Sequence, residues 1–202
     1  MASKKIVSFI FLASLLPQTI MSEEYKFDAI LNGDVIGQHT FNINETKTTS
    51  KAEFNIEFLF MDIYYKHQSE EVWDNNCLVK IDSKTDDDGD LYEVSGKLKG
   101  EKFHIMTNDK NGELPKCISS FAYWNHKILK KTKLLNSQNA EWLDINTKLI
   151  GTEELEVKDN IIIAKHYLLI ASNEDAEQLK IHLWYDQNMN WVGLLSLSLI
   201  HI

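Results

Sequence analysis

Seven histidines, at positions 39, 67, 104, 126, 166, 182 and 201, two cysteines and 30 acidic side chains are the groups with which this chain could do chemistry. No two histidines stand at the close spacing of a helical or ribbon metal motif, so no metal site is expected, although ligands on neighbouring strands can converge. His39 follows Gly37 closely, and a glycine in a strand lets another chain or a ligand approach the backbone. Cys117 precedes Ile118-Ser119-Ser120, where a helix start would lower its thiol pKa and make it a nucleophile. The same cysteine can pair with Cys77, the only other one in the chain. In an oxidising compartment an even count favours that disulfide, which would close a loop of about 41 residues and remove the nucleophile. No Gly-x-Ser-x-Gly elbow is present, and no cofactor is expected.

Two further clusters carry a possible role. Asp86-Asp87-Asp88-Gly89-Asp90 has the acids of a calcium loop, but Lys84 and Ser95 stand where that loop needs its first and last acids. A solvated hairpin tip is the expectation. Tyr123, Trp124, Asn125, Asn136, Gln138 and Trp142 form a polar and aromatic concentration that turns do not explain. They suit either an aromatic plug or a groove in which Asn125 or Gln138 orients an apolar ligand.

The elements that would position these groups read mostly as strands. Tyr25, Phe27 and Ala29 share one face of an alternating run, Asn32-Gly33-Asp34 supplies a turn, and Val35 to Ile43 returns. From Phe54 to Tyr65 the apolar residues occupy first the even positions and then, with Leu59, Met61 and Ile63, the odd ones, as in a bulged strand or one covered on both faces. Runs at 65–73, 77–82, 91–98, 103–107, 144–149, 161–171, 179–185 and 191–200 complete about ten strands with connections too short for crossover helices. Residues 118–135 instead space Phe121, Trp124, Ile128 and Leu135 like a helix. The expected fold is mainly β: a single antiparallel curved sheet or half-open barrel, with a greasy inner wall closed by one short helical segment.

Lys4 and Lys5 lead into an apolar run from Ile6 to Leu16, the pattern of a secretory signal over residues 1–22, with one β-rich domain over 23–202. That run is too short to span a bilayer, and no later one is longer, so no integral membrane span is expected after signal removal. Lysines recurring on opposite faces, at 80, 97, 165 and 180, disfavour an outer-membrane barrel. The chain has no arginine and a net charge of −9, a poor field for phosphates, so nucleic acid is not expected as a partner.

Several blocks together carry a family resemblance: Ile36-Gly37-Gln38-His39-Thr40-Phe41, Glu71-Val72-Trp73, Thr85-Asp86-Asp87-Asp88-Gly89, Ser120-Phe121-Ala122-Tyr123-Trp124-Asn125, and Leu183-Trp184-Tyr185-Asp186 followed by Trp191. With these the chain resembles an uncharacterised bacterial family of exported proteins, known only as a domain of unknown function. It departs from that pattern at His126, where the family usually carries proline. More distantly, its shape resembles the half-barrels of periplasmic lipoprotein carriers. The resemblance implies a periplasmic or secreted location. The reading is a non-catalytic binding module for a lipid-like or other apolar or amphipathic small molecule, with Tyr123, Trp124, Asn125, Gln138, Trp142 and His39 as ligand-binding candidates. An envelope enzyme using Cys117 or His39, or a structural protein with no ligand, are the alternatives.

Overall fold

A computed structural model of the chain describes residues 22–31, 34–58, 61–157, 160–173 and 178–197. All but the last residue of the expected signal segment, the expected turn at Asn32-Gly33, Leu59 and His201 lie outside the described residues. The fold is mainly β, with 74% of the described residues in strands.

Eight strands form a half-barrel in which each pairs antiparallel with its sequence neighbour: β1 (Glu23–Leu31), β2 (Asp34–Ile43), β3 (Lys47–Phe58), β4 (Met61–Asp74), β5 (Cys77–Asp87), β6 (Asp90–Lys99), β7 (Lys102–Thr107) and β8 (Asn111–Pro115). The expected single sheet is not what forms. Five further strands make a second sheet, ordered β13-β12-β11-β10-β9: β9 (Lys133–Leu135), β10 (Trp142–Val157), β11 (Asn160–Ser172), β12 (Gln178–Tyr185) and β13 (Trp191–Leu197).

The change of apolar phase within 54–65 is neither a bulge nor a two-sided strand. β3 ends at Phe58, β4 starts at Met61, and those two residues are register partners of a hairpin. At the β5–β6 hairpin, Asp88 and Gly89 both adopt positive φ, as a two-residue turn of primed type requires. The Gly89 amide donates to Asp86 Oδ1 at 2.9 Å, so the acidic run is a turn tip.

The helix expected over 118–135 does not form. Its only helical piece is a 3-10 stretch, His126–Lys130, capped by the Asn125 side chain. The rest is an irregular connection whose backbone bonds go sideways: Ser119 O accepts from Leu135 N and Ile118 O from Leu78 N, both at 2.9 Å. Ser120 and Leu135 form a parallel bridge. The apolar spacing is used in part: Ile128 and Leu135, with Ala122, are buried in the core that both sheets share, and Phe121 and Trp124 pack against it partly buried.

Both sheets contribute to one apolar cluster. Phe41, Trp73, Leu78, Ile81, Val94 and Phe103 come from the first sheet, and Leu143, Leu169, Ile181, Leu183, Tyr185 and Trp191 from the second. Trp191 packs on Phe27 and Phe41 across the gap, with ring centroids 4.3 and 5.3 Å apart. One hairpin outruns its sheet: the part of β10 beyond Gly151 pairs only with β11 residues before His166, where Ile161 and Ile163 are exposed.

Cys77 and Cys117 are disulfide-bonded, tying the first residue of β5 to the start of the connection. Cys117 adopts a positive φ of 62°, a conformation a non-glycine residue holds only when its surroundings enforce it. We expect the double substitution Cys77→Ser/Cys117→Ser to lower unfolding free energy by about 2–5 kcal/mol, read from urea denaturation. An unchanged midpoint would show that the connection is held without the bond.

Candidate functional site

Strand alternation turns one residue in two toward the concave side of the half-barrel. On β2 these are His39, Phe41 and Ile43; on β3, Thr48, Ser50 and Ala52; on β4, His67, Ser69, Glu71 and Trp73; on β5, Ile81, Ser83 and Thr85. The greasy wall expected from sequence is therefore polar through its middle. Cross-strand partners line up there: Ser50 faces Ser69, Ser69 faces Ser83, and His67 faces Thr85.

Hydrogen bonding accounts for most of this layer. His39 Nε2 lies 2.6 Å from the Ser50 hydroxyl, and His67 Nδ1 lies 2.9 Å from Thr85 Oγ1. Thr85 gives its proton to the Gln138 carbonyl at 3.2 Å, so its oxygen accepts from His67 Nδ1–H. That fixes the His67 tautomer and leaves Nε2 facing the Ser137 hydroxyl at 3.5 Å. Ser83 donates to the Ser137 carbonyl at 2.5 Å. Burial pushes His67 down to about 4; burial, together with the charge of His67, does the same to His39. Both imidazoles are neutral at neutral pH.

Glu71 is buried in the same wall. Burial pushes its carboxyl up to about 7, while the Ser120 hydroxyl beside it pulls the other way without reaching hydrogen-bond geometry. Burial likewise raises the Tyr65, Tyr123 and Tyr185 phenols, which stay protonated.

The residues singled out from sequence divide into two groups. His39 stands in the polar wall, its ring tilted against that of Phe41 with centroids 4.0 Å apart. Tyr123 faces the same space, 5.7 Å from Trp191, and its carbonyl accepts the Tyr185 hydroxyl proton at 2.7 Å. Gln138 contributes its backbone carbonyl there while its side chain is exposed. The others lie elsewhere. Trp124 packs edge-on against Trp73 at 5.5 Å, Asn125 caps the 3-10 stretch and donates to Asn76 Oδ1 at 3.3 Å, and half-buried Trp142 sits opposite Leu135.

Gly37 does allow a close approach, but by the protein itself: a Cβ there would lie 2.0 Å from the Glu53 carbonyl oxygen on β3. The thiolate reading of Cys117 is overturned, because its sulfur is bonded to Cys77. Two surface depressions, of about 400 Å³ beside Asp144, Ile145 and Ile170 and about 180 Å³ beside Thr40, Lys51 and Gln68, are not lined by Tyr123, Trp124 or Asn125. Sequence reasoning missed His67, Ser50, Ser69, Ser83 and Thr85. The available signal was period-two alternation of small polar residues, as in Thr48, Ser50 and Ala52.

Chemically, the wall offers two neutral imidazoles and a row of hydroxyls. The Ser50–His39 pair has two members of a nucleophile relay, but no carboxylate is hydrogen-bonded to His39 among the described residues. The histidines bind protons near pH 6.5 when unfolded and near 4 when folded, so their contribution to stability is complete above pH 6.5 and is lost as pH falls toward 4. Glu71, raised from 4.5, works in the opposite sense and stabilises increasingly as pH falls from 7 toward 4.5. Between pH 7.5 and 4.5, His67→Gln should lose less stability than the wild type, by on the order of 1–3 kcal/mol in paired urea titrations. Parallel losses in the two proteins would contradict a buried neutral His67.

No helix among the described residues is long and apolar enough to cross a membrane. No curated protein and no solved structure matches the chain. The family described as domain of unknown function (DUF6134) matches residues 27–198, most of the sequence, and the chain belongs to that family.

Proposed function

We propose that the protein is an exported, non-catalytic binding module for an amphipathic, lipid-like small molecule, held on the concave side of the half-barrel. The observation that carries this reading is the composition of the inner wall. Burying neutral histidines and hydroxyls stabilises less than burying aliphatic side chains would, so a wall built only for packing has no need of them. Beside the His39–His67 layer stand Phe27, Phe41, Tyr65, Tyr123 and Trp191. An amphipathic molecule fits that division: its apolar body against the rings, and a carboxyl or hydroxyl end within reach of the imidazoles. Export is supported by the lysine-led apolar segment at the N-terminus and by the disulfide, which persists in oxidising compartments. The same two features support a periplasmic or secreted location.

A ligand-free assembly role is the second reading, favoured by the exposed Ile161 and Ile163 on the overrunning β10–β11 hairpin. Palmitate titration separates the two. Trp191, ringed by Tyr25, Phe27, Phe41 and Tyr123, reports on the inner wall. We expect saturable change in tryptophan emission with palmitate, absent in Trp191→Phe although native mass spectrometry still finds the lipid bound. A purified protein that carries no lipid, and whose emission and mass ignore palmitate, would sink the binding reading.

A further inference from the structure

The outer face of the second sheet carries a side-chain cluster that the inner wall does not explain. His166 on β11 stands opposite Trp184 on β12, with His182 two residues before it on the same strand. His166 Nε2 lies 2.7 Å from His182 Nδ1, and His166 Nδ1 lies 3.0 Å from Glu153 Oε1 on β10. The same carboxylate oxygen accepts the Trp184 indole N–H, and the Trp184 ring stacks on His166 at 4.5 Å. Gly193, register partner of Trp184, leaves room for that ring, since a Cβ there would touch it at 3.4 Å.

We infer that His166 and His182 form a two-imidazole chelate for a divalent transition metal that prefers square geometry, Cu²⁺ above all, with Glu153 as the group that orients His166. Glu153 holds the proton on His166 Nδ1 and so aims the Nε2 lone pair at His182, the second-sphere arrangement found behind metal-binding histidines. His182 becomes the second ligand when its proton moves from Nδ1 to Nε2.

The ligand type selects the metal: for imidazole nitrogens the order of divalent affinities peaks at Cu²⁺. Two nitrogens at about 2.0 Å from one ion are about 2.8 Å apart at a right angle and about 3.3 Å apart at a tetrahedral one. The observed 2.7 Å is a hydrogen bond with the proton on the line between the nitrogens; when that proton leaves, both rings turn their lone pairs off the line toward a common ion, a short movement from this spacing. No group of three or more His, Cys, Asp or Glu side chains among the described residues is placed to hold a metal, so water completes the coordination. The His166 side chain is 14% exposed and that of Glu153 45%, so the cluster is half-buried and reached by solvent from the outer face.

The full chain titrated with CuCl₂, NiCl₂ and ZnCl₂ tests the inference by calorimetry and electron paramagnetic resonance. Expected are one tight Cu²⁺ per chain with two-nitrogen hyperfine structure, and at least tenfold weaker Zn²⁺ binding, as the Irving–Williams order requires. His182→Gln should abolish the tight site, Glu153→Gln should weaken it by about 10–100-fold, and His104→Gln should leave it unchanged. Tight Cu²⁺ binding that survives His182→Gln, a spectrum without two imidazole nitrogens, or Zn²⁺ held as tightly as Cu²⁺ would overturn it. Thermal melts of the metal-free variants confirm that any loss is of ligands rather than of fold.

Discussion

Buried hydroxyls without partners cost roughly 1–3 kcal/mol each, and the half-barrel turns several of them inward. Ser83 and Thr85 are satisfied by the backbone carbonyls of Ser137 and Gln138, which belong to the segment between β9 and β10. The first sheet therefore cannot complete its own hydrogen bonding. It needs the second sheet seated in one position, and the pairing of specific hydroxyls with specific carbonyls sets that position more sharply than apolar contact alone would. The His67 tautomer, and through it the direction of its free lone pair, follows from the same contact.

The connection between the sheets makes that seating possible. It leaves β8, is bonded covalently to the start of β5, and then runs with Ile118, Ala122 and Ile128 buried. Along the way its carbonyls accept backbone hydrogen bonds from both Leu78 and Leu135, one residue in each sheet. Its carbonyl at Tyr123 receives the Tyr185 proton, so the aromatic stretch is tied down at a third point. A regular helix would have turned these groups inward upon itself; an irregular path leaves them free to stitch the two sheets together.

Much of the strand pattern was legible because apolar residues alternate, as at Tyr25, Phe27 and Ala29, or at Ile181, Leu183 and Tyr185. The first half of β3 was not, since its inward residues are Thr48, Ser50 and Ala52, and apolar periodicity is blind to a polar wall. That blindness hid most of the candidate site, leaving only His39 and Tyr123 visible. Phe121, Trp124, Ile128 and Leu135 mimic a helix because packing against the shared core imposes its own spacing on an irregular chain. The joining of Cys77 to Cys117 was favoured by their even number once export was expected. The meeting of Glu153, His166 and His182 depends on a diagonal register across three strands, which no local pattern encodes.

The simple order of the first sheet has a kinetic meaning. Because β1 through β8 each pair with the strand just made, every hairpin closes over a short loop, and contact order within that half is low. A chain emerging N-terminus first can zip this sheet progressively, with Cys77 already in place when Cys117 arrives. The later five strands then condense onto a preformed template, so the slow events of maturation are expected in thiol oxidation and sheet docking.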